Sequence, residues 1–343
     1  MCRAQCLMVV VAYYVGVAYS WDIAITAGDQ LLFYTNGTKI HNVSFKSQNL
    51  TALAYDEVHN MMLYVDKQND NDAICGYDIS SEDNICFIKR SGRNIQGLAF
   101  DPVTEIIFFT DTNERSINWI SLVPGSRNDV YGNLLIKMDA EIPTSIAVDS
   151  CRGYVYWTNM NSTNPTIERA RFDGSEREVV INTTATFSYA TYIYKPHSLV
   201  VDQQTKKIYW IEDKMQDSHH DLRSANLSGK NKNYLLAFLQ QLCPPNIMTV
   251  SKDSLYWVGC RQTNNSVNEL TKNTADNRVH PKHIIDFTNE KPAGIAANYK
   301  IEEQFQGIQQ CEKTRSYQKN MSIGNEFIKI PKNVESFCMK VNG

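Results

Sequence analysis

Pro143-Thr144-Ser145-Ile146-Ala147-Val148-Asp149, followed shortly by Tyr156-Trp157-Thr158-Asn159, decides the fold, because the chain writes this cassette five times. Two earlier copies read Leu50-Thr51-Ala52-Leu53-Ala54-Tyr55-Asp56 … Leu63-Tyr64-Val65-Asp66 and Ile95-Gln96-Gly97-Leu98-Ala99-Phe100-Asp101 … Phe108-Phe109-Thr110-Asp111. A later one reads Pro196-His197-Ser198-Leu199-Val200-Val201-Asp202 … Tyr209-Trp210-Ile211-Glu212, and a worn fifth Pro245-Asn246-Ile247-Met248 … Tyr256-Trp257-Val258-Gly259. The leading apolar anchors Leu53, Leu98, Ile146, Leu199 and Ile247 are 45, 48, 53 and 48 residues apart. A period of about 40 to 50 residues with several short strands per unit is the signature of a β-propeller.

Within the Ile146 copy, Ser145 to Val148 is an apolar run suited to a strand buried on both faces. A polar turn ending at Gly153 leads to Tyr154 to Thr158, rich in aromatic and β-branched residues. Thr166 to Phe172 supplies a third strand, Asp173-Gly174 a tight turn, and Glu178 to Ile181 a fourth. Four antiparallel strands make one blade. Leu31 to Asn36 resembles a second half-cassette, and Pro292 to Asn298 a first half. Joined, they predict a sixth blade whose innermost strand comes from the far end of the chain, a closure that leaves no open edge in the ring. The expected organisation is therefore a signal peptide over 1–20, an all-β six-bladed propeller over 21–300, and a short extension over 301–343.

Leu7 to Ala18 is apolar but too short to span a bilayer, and Ala18 and Ser20 are the small residues a signal peptidase requires. No later stretch reaches the roughly 20 apolar residues of a membrane helix. The chain is expected to be secreted, or the outer part of an anchored receptor. Asn36, Asn42, Asn49, Asn161, Asn182, Asn226, Asn264 and Asn320 each head an Asn-x-Ser/Thr sequon, in keeping with that compartment. Net charge is -3 without a long basic run, which argues against nucleic acid as the partner.

Seven cysteines lie beyond the signal, and an oxidising compartment favours disulfides over metal ligation. Cys75 and Cys86 sit in the arms of one predicted hairpin. Proximity pairs Cys243 with Cys260 and Cys311 with Cys338. Cys151 is left over, as a buried apolar thiol or as a partner for another chain.

The runs Tyr156-Trp157-Thr158-Asn159, Phe108-Phe109-Thr110-Asp111 and Tyr209-Trp210-Ile211-Glu212 resemble the YWTD propeller, the class B repeat of low-density lipoprotein receptors. The resemblance covers roughly residues 22 to 300. It implies an extracellular receptor-like module that binds a secreted protein, with lipoprotein uptake, Wnt-type co-reception and a germ-line role among the functions of its members. Such propellers bind ligands on the face where loops precede the first strand and follow the second. By cassette position, that face carries Asn94, Ile95, Glu114, Glu141, Ile142, Lys195, His197, Asp213, Glu290 and Lys291.

No catalytic constellation, cofactor or metal site is expected. The recurring Asp66, Asp111, Asn159 and Glu212 are expected to fix turns through side-chain to backbone hydrogen bonds, as are Asp56, Asp101, Asp149 and Asp202. His219-His220-Asp221 reads as a solvated loop. Two other functions compete with the binding module. One is a metal-dependent propeller hydrolase, which needs unlike acids and amides converging on calcium in the channel; the other is a carrier of a small molecule or pigment.

Overall fold

The chain enters the ring through β1 (Ile23–Ala27), β2 (Gln30–Thr35) and β3 (Thr38–Ser44). Blade 1 follows as β4 (Leu50–Asp56), β5 (Met61–Asp66), β6 (Ala73–Asp78) and β7 (Asn84–Ile88). Blade 2 is β8 (Ile95–Asp101), β9 (Ile106–Asp111), β10 (Ser116–Ser121) and β11 (Asn133–Lys137). Blade 3 is β12 (Pro143–Asp149), β13 (Tyr154–Asn159), β14 (Thr166–Arg171) and β15 (Glu178–Asn182). Blade 4 has five strands, β16 (Thr184–Phe187), β17 (Ala190–Asp202), β18 (Lys207–Lys214), β19 (His219–Asn226) and β20 (Asn233–Leu239). Blade 5 is β21 (Ile247–Val250), β22 (Ser254–Arg261), β23 (Asn264–Thr271) and β24 (Lys282–Phe287). Finally β25 (Pro292–Ala297) pairs with β1, so blade 6 runs β25-β1-β2-β3 and the two ends of the ring meet in one sheet. The fold is the expected all-β, six-bladed propeller.

This computed structural model describes residues 20–308 and 311, apart from 47–48, 68–70, 89–91, 127–130, 162, 188–189, 215–218, 240–246, 262–263, 273–280 and 289. The expected signal peptide up to residue 19, Cys338, Asn320 and the expected Cys243–Cys260 pairing lie outside them. Among the described residues, no helix is long and apolar enough to cross a membrane.

The cassette's paired aromatics hold the blades together because neighbours in a strand point to opposite faces. Trp157 packs in the layer between blades 2 and 3 with Phe108, Ile146 and Phe172, while the adjacent Tyr156 packs between blades 3 and 4 with Leu199 and Trp210. The same division recurs at Phe108 and Phe109, and at Tyr209 and Trp210. Six apolar layers result, one between each pair of neighbouring blades. Around the channel the innermost strands crowd each other. A Cβ on Gly97 would lie 2.4 Å from the Thr144 carbonyl oxygen of the next blade. Gly97→Ala is therefore expected to cost about 1–3 kcal/mol by overpacking, read as a lowered denaturation midpoint.

Besides the fifth strand of blade 4, where four were expected, three details differ from the sequence reading. Leu31 to Asn36 forms the third strand of blade 6, not the second; that place belongs to β1, whose five residues carry no aromatic pair. The fifth apolar anchor is Met248 rather than Ile247, because Met248 stands opposite Trp257 as Ile146 stands opposite Trp157. A slip of one residue exchanges the two faces of a strand.

The third concerns the cysteines. Cys75 and Cys86 are directly opposed in β6 and β7 and are bonded, as expected. Cys311, however, is bonded to Cys151 and not to Cys338, so Cys151 is neither a free thiol nor a site for another chain. The reason lies in the path of the chain after β25. A short helix, α1 (Ile301–Phe305), crosses the end of the channel where the first-to-second-strand loops gather. Ile301 and Phe305 bury against Cys151 and Cys311 with Val103 and Ile308 around them. The Ile301 N–H donates to Glu57 in blade 1 at 2.8 Å, and the Tyr299 hydroxyl lies 3.0 Å from Gln204 in blade 4. Lys272 of blade 5 sits over the Tyr299 ring. Loops of five blades thus hold the segment that delivers Cys311 beneath blade 3.

Candidate functional site

The channel is a cavity of about 700 Å³. Tyr299, Ile301 and Gln304 line its lower end, and Lys67, Gln96, Met160, His197 and Asp213 its upper end. The upper face is the one to which cassette position assigned the candidate residues, and the repeated acids shape its loops. Asp111 Oδ1 accepts from the N–H groups of Asn113 and Glu114 at 3.1 Å, and Asn159 Oδ1 from those of Ile142 and Asn161. Asp66 accepts from the Asn49 N–H. On the lower face, Asp56, Asp101, Asp149 and Asp202 are fully buried and accept from backbone N–H groups two or three residues ahead. Burial raises the carboxyl pKa values of Asp56, Asp101 and Asp149 against these hydrogen bonds.

Glu212 departs from this pattern. One methylene longer, it reaches sideways to the Trp210 indole N–H at 2.8 Å and to Arg223 at 2.7 Å. Burial raises its pKa, opposed chiefly by Arg223.

Glu114 and Glu141 are surface carboxylates with cationic partners, Lys137 at 2.8 Å and Arg177 at 3.4 Å. The hydrogen bond and charge of Lys137 lower the Glu114 pKa, and a hydrogen bond from its own backbone is the largest cause lowering that of Glu141. Asn94 accepts from Lys67 and from Gln96, both at 2.7 Å. Ile95 is fully buried in the layer between blades 1 and 2, leaving its backbone alone at the rim. Lys195 and Ile142 are half-buried, Lys291 is exposed, and the Glu290 carbonyl accepts from Asn265.

Two of the expected residues meet a third that sequence reading set aside. His197 Nε2 lies 2.8 Å from Asp213 Oδ1, and His220 Nδ1 lies 2.5 Å from the same oxygen. His220 belongs to β19, not to a solvated loop, and is 9% exposed. It stands directly opposite Asp213 across the ladder. His197 occupies a bulge between Pro196 and Ser198, which turns its side chain toward Asp213. Burial works against the Asp213 charge, but the hydrogen bonds and proximity of His197 and then His220 outweigh it and lower its pKa. Among the described residues, these three form a group whose possible ligand atoms lie within 4.8 Å of one another. The signal available in the sequence was positional. Bulges interrupt the innermost strands of blades 1 to 4 at matching places, beside Ala52, Gln96 and Thr144 in the other three.

Of the seven sequons in the described residues, Asn36, Asn42, Asn49, Asn182 and Asn264 are exposed. Asn161 and Asn226 are half-buried, each accepting hydrogen bonds from the Thr or Ser two residues on.

Residues 153–203 match the low-density lipoprotein receptor repeat class B. The chain is 30% identical over 250 residues to the protein cueball of Drosophila yakuba, a match that covers 71% of this chain and 36% of that protein. It therefore spans little more than a third of the length of such relatives. Among solved structures, a chain of a nidogen/laminin complex superposes with a TM-score of 0.63 at 19% identity, covering 81% of this chain and 98% of that one. TolB from Acinetobacter baumannii gives 0.61 at 13% identity, covering 82% and 67%. At these identities the two structures speak to the fold alone.

Proposed function

We propose that this chain, a six-bladed propeller built on the low-density lipoprotein receptor class B repeat, is an extracellular module that captures a secreted protein on its upper face and performs no covalent chemistry. One observation carries the reading. The lower end of the channel is overlaid by α1 and held by the Cys151–Cys311 bond, whereas non-repeating charged residues surround the upper mouth. The repeated acids, which a hydrolase would need for metal or substrate, are engaged within the fold, Asp56, Asp101, Asp111, Asp149 and Asp202 by backbone N–H groups of their own turns and Glu212 by Trp210 and Arg223. The match to the low-density lipoprotein receptor class B repeat, which the family resemblance ties to protein binding, supports the reading. A Wnt-type or germ-line ligand is the finer expectation that the family resemblance implies.

The test is capture of an extracellular partner by immobilised chain. The double variant Glu114→Lys/Glu141→Lys is expected to retain that partner at least tenfold less well than the unaltered protein. Its melting temperature should move little, since exposed ion pairs contribute about 0–1 kcal/mol. Glu105→Lys, on the lower face, serves as the control. Equal retention by the double variant, or loss in the control alone, sinks the reading.

A further inference from the structure

We propose that His197, Asp213 and His220 form a binding site for a divalent transition-metal ion of the zinc class at the upper mouth of the channel. Two imidazole nitrogens and one carboxylate oxygen converge within 4.8 Å. Nitrogen and oxygen donors in this ratio suit zinc, cobalt, nickel or copper and not calcium, which takes six to eight oxygens. The arrangement is also unlike the calcium-centred channel of a propeller hydrolase, since all three residues come from adjacent strands of one blade.

The geometry needs little change to admit an ion. Adjacent donors in a tetrahedral site with bonds of about 2.0 Å stand roughly 3.3 Å apart. The present separations from Asp213 Oδ1 are 2.8 and 2.5 Å. Each imidazole draws back from Asp213 by under about 1 Å while the two ring nitrogens, within 4.8 Å of each other, settle toward the same spacing. The proton on each coordinating nitrogen moves to the other nitrogen of its ring, or is released where the ring was protonated, as the metal enters. His220 is anchored within its strand and largely buried, while His197 sits on a bulge, where side-chain torsions can adjust. Asp213 remains 35% exposed and lines the channel, so the fourth position faces the cavity and is open to water or to a side chain of a bound protein.

The fold does not require this cluster, which is what separates it from the turn-fixing acids. In blade 4 the cassette acid is Glu212, already engaged by Trp210 and Arg223; Asp213 is an additional carboxylate one residue later. The matching positions of blade 1 hold Lys67 and Asp72, an ion pair at 3.6 Å that neutralises itself. Those of blade 3 hold Met160 and Pro165. A pair of histidines around one acid occurs among these positions in blade 4 alone.

The test uses the secreted chain, stripped with chelator and titrated with cobalt and then zinc. Cobalt is expected to bind one to one with the visible d–d bands of a four-coordinate site, and zinc to displace it. A hundredfold excess of zinc over its Kd should raise the melting temperature by about 3–5 °C. His197→Gln and His220→Gln should each weaken binding roughly a hundredfold or more, beyond what losing a supporting residue does. His283→Gln, on β24 beside Asp286, should bind as the unaltered protein does. Melting without metal shows whether each variant is folded; should His220→Gln unfold, His197→Gln decides alone. Absence of the cobalt bands with no thermal shift overturns the proposal, as does binding that survives His197→Gln in folded protein.

Discussion

Trp157→Ala lowers the stability of the propeller by about 3–5 kcal/mol, read as a fall of about 5–10 °C in melting temperature for a chain of this size. Trp157 is fully buried, opposite Ile146 and among Phe108, Phe172, Ile106 and Val155 in the layer between blades 2 and 3. Both walls of that layer are hydrogen-bonded sheets, which cannot collapse into the space an indole leaves. The loss therefore includes both the transfer energy of the ring and the cavity left behind. The Arg177 guanidinium, 5.7 Å from the ring centre, loses its aromatic face as well. Trp157→Phe fills most of the space and should cost clearly less. Chemical denaturation followed by circular dichroism distinguishes the two, and equal losses would place the cost elsewhere than in the cavity.

Cys311→Ser has the second large effect, a loss of about 2–5 kcal/mol. The bond to Cys151 spans a sequence separation of 160 residues, and that of Cys75 to Cys86 only 11. Loop-closure entropy assigns about 5 kcal/mol to the first and about 3 to the second, so removing the first should cost more. The mode of failure should also differ. Without the bond, α1 is held by Ile301, Phe305 and a few hydrogen bonds, too little for a single-turn helix to persist unaided. Limited proteolysis should then cleave near residues 300–311 before the blades unfold, and the freed Cys151 thiol should become reactive. Cleavage first within the blades would contradict this.

Legibility in the sequence followed the range of the forces involved. The first and second strands of blades 1 to 4 could be read because alternation and turn chemistry are local, and Asp173-Gly174 marked its turn directly. The strand order of blade 6 was harder: β1 is Ile23-Ala24-Ile25-Thr26-Ala27, apolar throughout, so nothing in it marks a second strand until β25 is known to lie beside it. The extra hairpin of blade 4 left only a trace, the 53-residue spacing between Ile146 and Leu199. The Cys151–Cys311 bond was hidden because its partners meet through contacts with five different blades. At the candidate site, His197 and Asp213 were found by cassette position. His220 was missed because strand register, and not sequence distance, puts it opposite Asp213.

The division of each aromatic pair between two layers has a consequence for how the ring comes apart. No blade owns an interior; each lends half of two. Removing one sheet would strip its neighbours on both sides and leave two greasy flanks facing water, so the ring should melt as a whole. Blade 6, assembled from both ends of the chain, then acts as the clasp of a closed bracelet: residues near 23 and near 297 must find each other before the ring is shut and its first and last blades are covered on both sides.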